Sequence, residues 1–294
     1  MKILIAFKKK SYAHFFNIYK KFFSRFFRFS SYPFISGDTF RNNCKFIYDE
    51  FKSFNPNLVK SGDFVFVKTD MLSEFFSSIH KNINNSYYLL SHNSDHSINS
   101  QYSKYLDKKI ILWYAQNIEE RFSEKIQFIP IGLENKWYFK NGNVYRFKKI
   151  LKNPPSKNIL INASFSQNTH ISRKDMYSKL SNIDIVLFNS RQKNKDYLTT
   201  IASSYFNICP RGNGIDTHRI WESLIFKTIP IVEKNNFTEL LLENDIPVLI
   251  IKDWSELKNF TKLDILTMYK DITKNFKLEN FSNFSYWYKK INFK

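Results

Sequence analysis

The sequence predicts an α/β protein in which parallel sheets form two halves joined by a linker. Short runs of consecutive apolar residues alternate with segments of helical periodicity along the whole chain. Continuous apolar strands, without polar alternation, are typical of a parallel sheet that is covered on both faces. Most of these runs end in a polar cluster, and the length of 294 residues suits two domains of ordinary size or one large domain.

The first half contains five apolar segments that predict strands. They are residues 1–7, 64–67, 87–90, 110–114 and 126–131. Asp38 or Thr39 would cap a helix that runs to about residue 51, and a second helix is predicted over 71–80. The start of the chain lacks a small-residue cleavage site, so it predicts a strand and not a signal peptide. No apolar run approaches the length of a membrane helix.

Residues 14–29 form a basic and strongly aromatic segment. Seven aromatic residues fall at three- and four-residue intervals, and four Lys or Arg residues lie between them. This spacing predicts an amphipathic helix. One interpretation is docking on an anionic membrane surface. The other is an ordinary helix that packs on the sheet with its basic residues outward.

The second half repeats the α/β pattern after a basic linker, residues 138–156, which ends in Asn-Pro-Pro-Ser. Strands are predicted at 158–162, 183–188, 206–209, 228–232 and 248–251. Helices are predicted at 174–180, 197–204, after Asp216 or Thr217, at 239–243 and from Trp254 onward. The tail, 272–294, is helical in character, and its Trp287 segment would return to the first half. We therefore predict domains at 1–152 and 153–275, with 276–294 as a tail that packs back.

The formal net charge of +19 indicates an anionic partner, such as nucleic acid, acidic phospholipid or a nucleotide diphosphate. Charge alone does not choose among them. The two cysteines, Cys44 and Cys209, lie far apart and have no disulfide or zinc-ligand spacing, which favours a reducing cytoplasm.

The stretch from 205 to 232 predicts a strand, a glycine turn, a helix and a second strand. Such a unit places a helix N-terminus and flexible backbone at the carboxyl end of a strand, where a phosphate is readily held. The donor-side residues of this unit are Arg211, Gly212, Asn213, Gly214, His218 and Arg219. Arginine presents a planar donor fork to phosphate. The alternative is a tight turn with two surface arginines.

Glu222 follows one turn into the same helix. Its carboxylate could accept two hydrogen bonds from a ribose diol, or it could be a solvent-facing acid that pairs with Arg219 at i, i+3.

The cluster from His92 to His96 follows the predicted third strand. His92 or Asp95 could act as a general base at the strand end. The competing interpretation is a structural turn in which Asn93 and Asp95 bond backbone amides. The cluster makes a poor metal site, because it follows a strand and has no third ligand.

Other polar side chains occupy equivalent strand-end positions and would suit hydrogen bonding to a polyhydroxylated acceptor sugar. They are Asp70, Asn93, Gln116, Asn117 and Glu134. Asp38 and Arg41 could join the same cleft. No Asp-x-Asp diphosphate–metal motif occurs at a predicted strand end, so we predict no metal site.

The 205–232 stretch resembles the sugar-nucleotide half of exostosin-like glycosyltransferases. The resemblance lies in Cys209-Pro-Arg-Gly-Asn-Gly214, His218-Arg219-x-Trp221-Glu222 and Ile229-Pro-Ile-Val232. It covers about 30 residues. Shorter segments ending at Asp70, Asp95, Asn117 and Glu134 are similar to bacterial relatives of that group. The donor domain of fucosyltransferases has a comparable layout and is a close competitor. Lys227 departs from the family, since many relatives have glycine there.

The resemblance implies a GT-B fold, in which two Rossmann-like domains face each other across a cleft. It also implies donor binding by Arg211, Arg219 and Glu222, with Glu222 on the nucleotide ribose. Arg173, at the end of the polar loop 164–173, is a further donor-side candidate. The implied reaction is an inverting transfer with a base from the first half.

We therefore expect a cytoplasmic glycosyltransferase that moves a sugar from a nucleotide-diphosphate donor to a glycan or lipid-linked acceptor. Bacterial surface polysaccharide synthesis, such as lipopolysaccharide or capsule assembly, is the expected setting. The nucleotide sugar is a co-substrate, and no cofactor, metal or nucleic-acid partner is expected. The inner face of the cytoplasmic membrane is a second candidate location. The alternative from another class is a non-enzymatic protein that binds nucleic acid or an anionic membrane through its charge.

Overall fold

The structure is a computed structural model that describes residues 28–138, 141–189 and 193–293. The predicted first strand, 1–7, and nearly all of the predicted basic helix, 14–29, lie outside the described residues.

The first half is built on a five-stranded parallel sheet in the order β1-β2-β3-β4-β5. The strands are β1 Phe46–Tyr48, β2 Phe64–Lys68, β3 Tyr87–His92, β4 Ile110–Ala115 and β5 Ile126–Phe128. The helices are α1 Gly37–Asn43 and α2 Leu72–Ser78, with short 3-10 helices at Pro56–Leu58, Thr69–Met71, His80–Asn82 and Ser100–Tyr105. Strands β2 and β3 are each buried at all but one position, and β4 is buried at four of its six positions, which is the reason why they read as continuous apolar runs.

The second half is built on another five-stranded parallel sheet, in the order β10-β9-β8-β6-β7. The strands are β6 Ile159–Ala163, β7 Val186–Phe188, β8 Ser204–Ile208, β9 Ile229–Glu233 and β10 Leu249–Ile251. The helices are α3 Val144–Lys152, α4 Ser172–Leu180, α5 Asn194–Ala202, α6 His218–Ile225, α7 Asn236–Glu243, α8 Lys262–Asn275 and α9 Phe284–Ile291. Two 3-10 helices, Trp254–Asn259 and Leu278–Ser282, complete it. The predicted fold class, α/β with two parallel sheets, is confirmed.

Four local features differ from the predictions. The helix expected to run to residue 51 ends at Asn43, and its cap is Ser36, whose hydroxyl accepts from the amide of Thr39. The strand β1, Phe46–Tyr48, lies within the segment that the prediction assigns to this helix. The expected linker, 138–156, contains helix α3, and the segment after Trp254 is a 3-10 helix.

The order of the second sheet locates a crevice. The chain leaves β6 for β7 on one side and then returns to place β8 on the other side of β6. At such a reversal the two connections leave a gap at the carboxyl ends of the strands, and ligands of open α/β sheets bind there. In the first sheet, the described strands are added in one direction without a reversal.

Buried aromatic residues join the two halves. Trp221 of α6 packs against Phe128 of β5 and Trp287 of α9, with ring centroids 6.2 Å away in both cases. Phe293, near the end of the chain, lies 4.4 Å from the ring of Phe64 in β2. The hydrophobic core is continuous across these contacts. Because the core does not divide the chain at 152 or 275, the domain boundaries at these residues stay predictions. Among the described residues, no helix combines the length and the apolar character needed to cross a membrane.

Candidate active site between the two halves

A cavity of about 700 Å³ lies at the reversal point of the second sheet, and we call it the large cavity. Its wall includes the loop after β6, the end of β7, helix α5 and the first turn of α6. Glu134 and Asn141 close it from the chain segment after β5. The lining residues are Glu134, Asn141, Ser164, Phe165, Ser166, Gln167, Asn168, Phe188, Asn194, Tyr197, His218, Arg219 and Glu222. Four predicted site residues, Glu134, His218, Arg219 and Glu222, therefore meet in one space.

Tyr197, Arg219 and Glu222 form a connected group in this wall. The Tyr197 hydroxyl donates to Glu222 Oε2 at 2.8 Å. The Arg219 guanidinium lies over the Tyr197 ring, 5.7 Å from its centroid, and its Nε donates to the Ser164 carbonyl at 3.4 Å. Burial raises the pKa of Glu222, while His218, Tyr197 and Arg219 act in the opposite direction. The predicted alternative of a solvent-facing Glu222 is wrong, because this residue is only 5% exposed.

His218 links the first turn of α6 to the first half of the chain. Its Nδ1 donates to the Gly132 carbonyl at 2.7 Å, so Nε2 is the nitrogen left for other partners and lies 3.7 Å from Glu134 Oε2. Gly132 has a φ of +67°, and an added Cβ would meet the backbone of Ile35. Glycine is therefore required at the point where the carbonyl turns toward His218.

Arg173 does not reach the large cavity as a free donor. It is 1% exposed, and its guanidinium donates to the carbonyls of Ser166, Pro210 and Arg211 at 2.8–3.1 Å. Burial and the nearby Arg219 lower its pKa to about 10. The structure corrects the predicted donor-binding role of Arg173. Its side chain instead holds together the two loops that flank the gap between β6 and β8.

Arg211 and Arg219 are not brought together on one cavity. Arg211 lines a second, smaller cavity of about 330 Å³, where its Nη1 lies 3.9 Å from Glu119 Oε1. Its backbone carbonyl is held by Arg173, which fixes the turn. Of the two arginines, only Arg219 therefore lines the large cavity, and the predicted diphosphate contact stays a prediction.

The two glycines of the turn have different roles from the predicted phosphate cradle. The Gly212 amide already donates to the Gly214 carbonyl at 3.0 Å. Gly214 is buried, and a Cβ there would lie 2.6 Å from Asn117 Nδ2. Asn213, between them, is exposed and donates to Asp95 Oδ2 at 3.1 Å. Gly214 therefore serves the close approach of the two halves.

His92 is not placed to act as a base. It is 1% exposed, its Nε2 donates to the Pro130 carbonyl at 3.1 Å, and its Nδ1 accepts from the Asn93 amide at 2.7 Å. Burial lowers the pKa of His92 to about 4. Both ring nitrogens of His92 are engaged in hydrogen bonds. The structure therefore corrects the prediction that His92 could act as the general base.

Three of the predicted acceptor-side amides support the loop that carries Asp95. Gln116 accepts from the Asn93 amide and donates to the Ser94 carbonyl. Asn117 is fully buried, donates to the Ser94 carbonyl at 3.0 Å and accepts from the Asp216 amide at 3.1 Å. The Asn93 side chain bonds Asp38 and Asn135. Since Gln116 and Asn117 are almost fully buried, direct sugar contact by these two side chains is not favoured.

Asp95 and Asp70 remain exposed at the strand ends of the first sheet. Asp70 accepts from the Ser94 hydroxyl at 3.1 Å and lies 3.5 Å from Lys68 Nζ. Asp38 and Arg41, by contrast, are buried: Asp38 pairs with Arg28 at 2.9 Å, and Arg41 pairs with Asp49 at 2.6 Å. Of the predicted base candidates, only Asp95 is accessible.

Several cavity residues were not predicted from the sequence. The sequence places Tyr197 in a helix and Phe188 in a strand without indicating a role in the site. The loop 164–168 is polar, but its sequence does not mark it as part of the site. Their place in the chain could have indicated them, because these residues follow the strands that flank the reversal point. Within the described residues, no group of three or more His, Cys, Asp or Glu side chains is arranged to hold a metal ion.

Comparisons with known proteins agree with the sequence motif. Residues 157–294 match the family model of the RXYLT1 C-terminal domain, which belongs to the exostosin-like glycosyltransferases. No curated protein matches the chain.

Solved structures similar to this chain include an alpha1,3-fucosyltransferase, at 15% identity and a TM-score of 0.41 over 74% of this chain and 70% of that one. An alpha1,3-fucosyltransferase with GDP-fucose has 12% identity and a TM-score of 0.38 over 79% and 86% of the two chains. A UDP-forming trehalose-phosphate synthase from Burkholderia xenovorans has 8% identity and a TM-score of 0.40 over 81% and 73%.

The match to the family model covers strands β6–β10 and the residues of α5 and α6 that line the large cavity. The match of residues 157–294 to this family model agrees with the resemblance of the motif at 209–232 to exostosin-like glycosyltransferases.

Proposed function

We propose that the protein transfers a sugar from a nucleotide-diphosphate sugar, which binds in the large cavity, to a glycan or lipid-linked acceptor. The observation that carries this proposal is the meeting of His218, Arg219 and Glu222 in a cavity at the reversal point of the second sheet. A volume of about 700 Å³ falls within the range of small-molecule sites.

Glu222 is the proposed ribose ligand. Its Oε2 is held by the Tyr197 hydroxyl, and within the described residues Oε1 accepts no hydrogen bond. A carboxylate that is fixed through one oxygen can present the other to a ribose hydroxyl without losing further rotational freedom.

Arg219 is the proposed diphosphate ligand. It lies in the first turn of α6, whose N-terminal dipole favours an anion. The N-cap residue Thr217 makes no side-chain cap bond, so the first amides of the helix are not covered by its hydroxyl. A fixed guanidinium beside a helix N-terminus would stabilise the charge that develops on the leaving diphosphate. On this basis we propose a transfer that does not require a metal ion.

Asp95 is the proposed general base for an inverting transfer. It lies on the first half, opposite the turn that precedes α6, and its only hydrogen bond among the described residues comes from Asn213. An accessible carboxylate across the cleft can take the proton of an acceptor hydroxyl. Bacterial surface polysaccharide synthesis, at the cytoplasmic face of the membrane, is the proposed setting.

The test is a donor screen with UDP-, GDP-, ADP- and CMP-sugars, measured by thermal shift and by hydrolysis, in the presence and absence of EDTA. We expect one nucleotide to raise the melting temperature, and Arg219→Ala to abolish that shift. Arg121→Ala is the matched control, since Arg121 is a surface arginine paired with Glu243. Absence of any shift or turnover across the panel would contradict the proposal.

A further inference from the structure

Helix α3 presents a surface that the catalytic proposal does not use. Val144 and Phe147 point inward, and the Phe147 ring stacks on Phe226 with centroids 5.5 Å apart. The outward residues are Tyr145, Lys148, Lys149, Leu151 and Lys152, all exposed. We call these five residues the α3 surface.

The charge of the α3 surface has one sign. Helix α3 contains no acidic residue, and the chain has none between Glu134 and Asp175, a stretch that contains nine Lys or Arg residues. Within the part of the chain that the structure describes, Lys148, Lys149 and Lys152 form no ion pair. Helix α8 is different: its lysines alternate with Asp264 and Asp271. The mixed charges of α8 are typical of a solvated helix, and those of α3 are not.

Two large apolar side chains are exposed on this helix: Tyr145 lies among the lysines, and Leu151 lies at the edge of their face, three residues after Lys148. Tyr145 is 71% exposed and Leu151 is 39% exposed. An aromatic and an aliphatic side chain flanked by lysines match an interfacial membrane helix, because the lysines meet anionic headgroups while the apolar groups enter the acyl boundary. Binding to duplex nucleic acid would account for the lysines, which contact phosphates, but would not account for an exposed leucine.

The position of α3 relates this surface to the large cavity. Asn141, just before the helix, lines the cavity, and Arg146 Nη1 donates at 2.6 Å to Asn194, which also lines it. The first turn of α3 therefore stands at the edge of the cavity.

From these observations we infer that the α3 surface docks the protein on an anionic phospholipid bilayer, beside the mouth of the large cavity. The inference depends on the proposed function only in that a lipid-linked acceptor would then be presented next to the donor. The docking itself requires no catalysis. It also concerns a different segment from residues 14–29, which lie almost entirely outside the described residues.

The test is co-sedimentation of the full chain with vesicles of phosphatidylcholine alone and of phosphatidylcholine mixed with phosphatidylglycerol. We expect binding only to the anionic vesicles, weakened by salt. The variant Lys148→Gln/Lys149→Gln/Lys152→Gln should lower the partition coefficient about 100-fold, because each lysine near an anionic surface contributes a factor of about five. Tyr145→Ser should lower it further at high salt, where the apolar contribution remains.

The matched control is Lys262→Gln/Lys270→Gln/Lys274→Gln, which removes the same charge from exposed positions of α8. Equal losses in the two triple variants would mean that only net charge matters, and would overturn the inference. Unchanged binding in the α3 variant would overturn it as well. The inference would also be overturned if the wild-type protein did not bind anionic vesicles but bound a DNA duplex through these lysines.

Donor thermal shift, measured on the same α3 variant, keeps this inference separate from the proposed function. Loss of vesicle binding with an intact donor shift supports the α3 surface. A protein that binds vesicles through α3 but shows no donor shift refutes the catalytic proposal and leaves the docking surface standing.

Discussion

The carboxylate of Asp95 accepts a hydrogen bond at 3.1 Å from the side-chain amide of Asn213, although the two residues belong to different halves of the chain. The bond joins the loop after β3 to the turn between β8 and α6. The proposed base is thereby held beside the turn that leads into the helix that carries Arg219 and Glu222.

Replacing Asp95 tests its role as base. Asp95→Asn keeps the size of the side chain but cannot accept a proton, so we expect a loss of transfer rate of about 10²- to 10⁴-fold. The donor thermal shift should be unchanged, because Asp95 does not line the large cavity. Asp175→Asn, at an exposed position of α4, is the control. Full activity of Asp95→Asn would assign the base elsewhere.

Removing the Tyr197 hydroxyl tests the ribose contact. Tyr197→Phe keeps the ring beneath the Arg219 guanidinium and deletes the hydrogen bond to Glu222. A hydrogen bond to a charged group contributes about 1.5–3 kcal/mol, so donor affinity should fall by about 10- to 100-fold. Calorimetric titration with the donor measures this loss of affinity. Tyr145→Phe, on the neighbouring helix α3, should bind donor as the wild type does, and equal affinity in both variants would refute the contact.

The two glycines of the turn should respond differently to alanine. Gly214→Ala would place a methyl group 2.6 Å from Asn117 Nδ2, whereas the nearest atom to a Cβ at Gly212 is 3.7 Å away. Because Asn117 is held by Ser94 and Asp216, it cannot move freely. We expect Gly214→Ala to lower the free energy of unfolding by about 1–3 kcal/mol and Gly212→Ala to have little effect. Urea unfolding distinguishes them, and equal stabilities would contradict the close packing.

Lys157 is a partly buried ammonium that joins two helix ends. Its Nζ donates to the carbonyls of Ala202, Ser204 and Phe226 and to the Thr228 hydroxyl. Ala202 ends α5, and Phe226 follows α6, so the lysine connects the helices that carry Tyr197 and Arg219. Burial lowers the pKa of Lys157 to about 7.

This shift predicts a pH dependence of stability. The folded-state pKa lies below the usual value of 10.5, so between pH 7 and 10.5 the unfolded chain binds more protons. The contribution of Lys157 to the free energy of unfolding should therefore rise with pH in this window, by about 1 kcal/mol per unit. Lys157→Met should lack this slope in urea unfolding at pH 7.5 and 9.5, and exposed Lys258→Met should retain it. Parallel curves for Lys157→Met and the wild type would refute the assignment.

Periodicity and composition were sufficient for the elements with strong local signals. The buried strands β2, β3, β4 and β6 read directly as apolar runs, because both faces of a parallel sheet are covered. The motif at 209–232 indicated the family, since the order of its residues is specific. Strand β1 lies in a segment that reads as the continuation of helix α1, and α3 lies in a basic stretch that reads as a linker.

Local sequence established which residues could do the chemistry, but the roles of Arg173, His92 and Asn117 depended on their partners. Each has the polar character expected of a ligand, and each is buried and satisfied by backbone groups distant in sequence. Tyr197 is the opposite case. In the sequence it is an ordinary helical tyrosine, and it becomes a cavity residue because α5 packs beside α6. Burial and hydrogen-bond partners arise from contacts between distant segments, so folding, and not local pattern, separates the supporting residues from those that face the cavity.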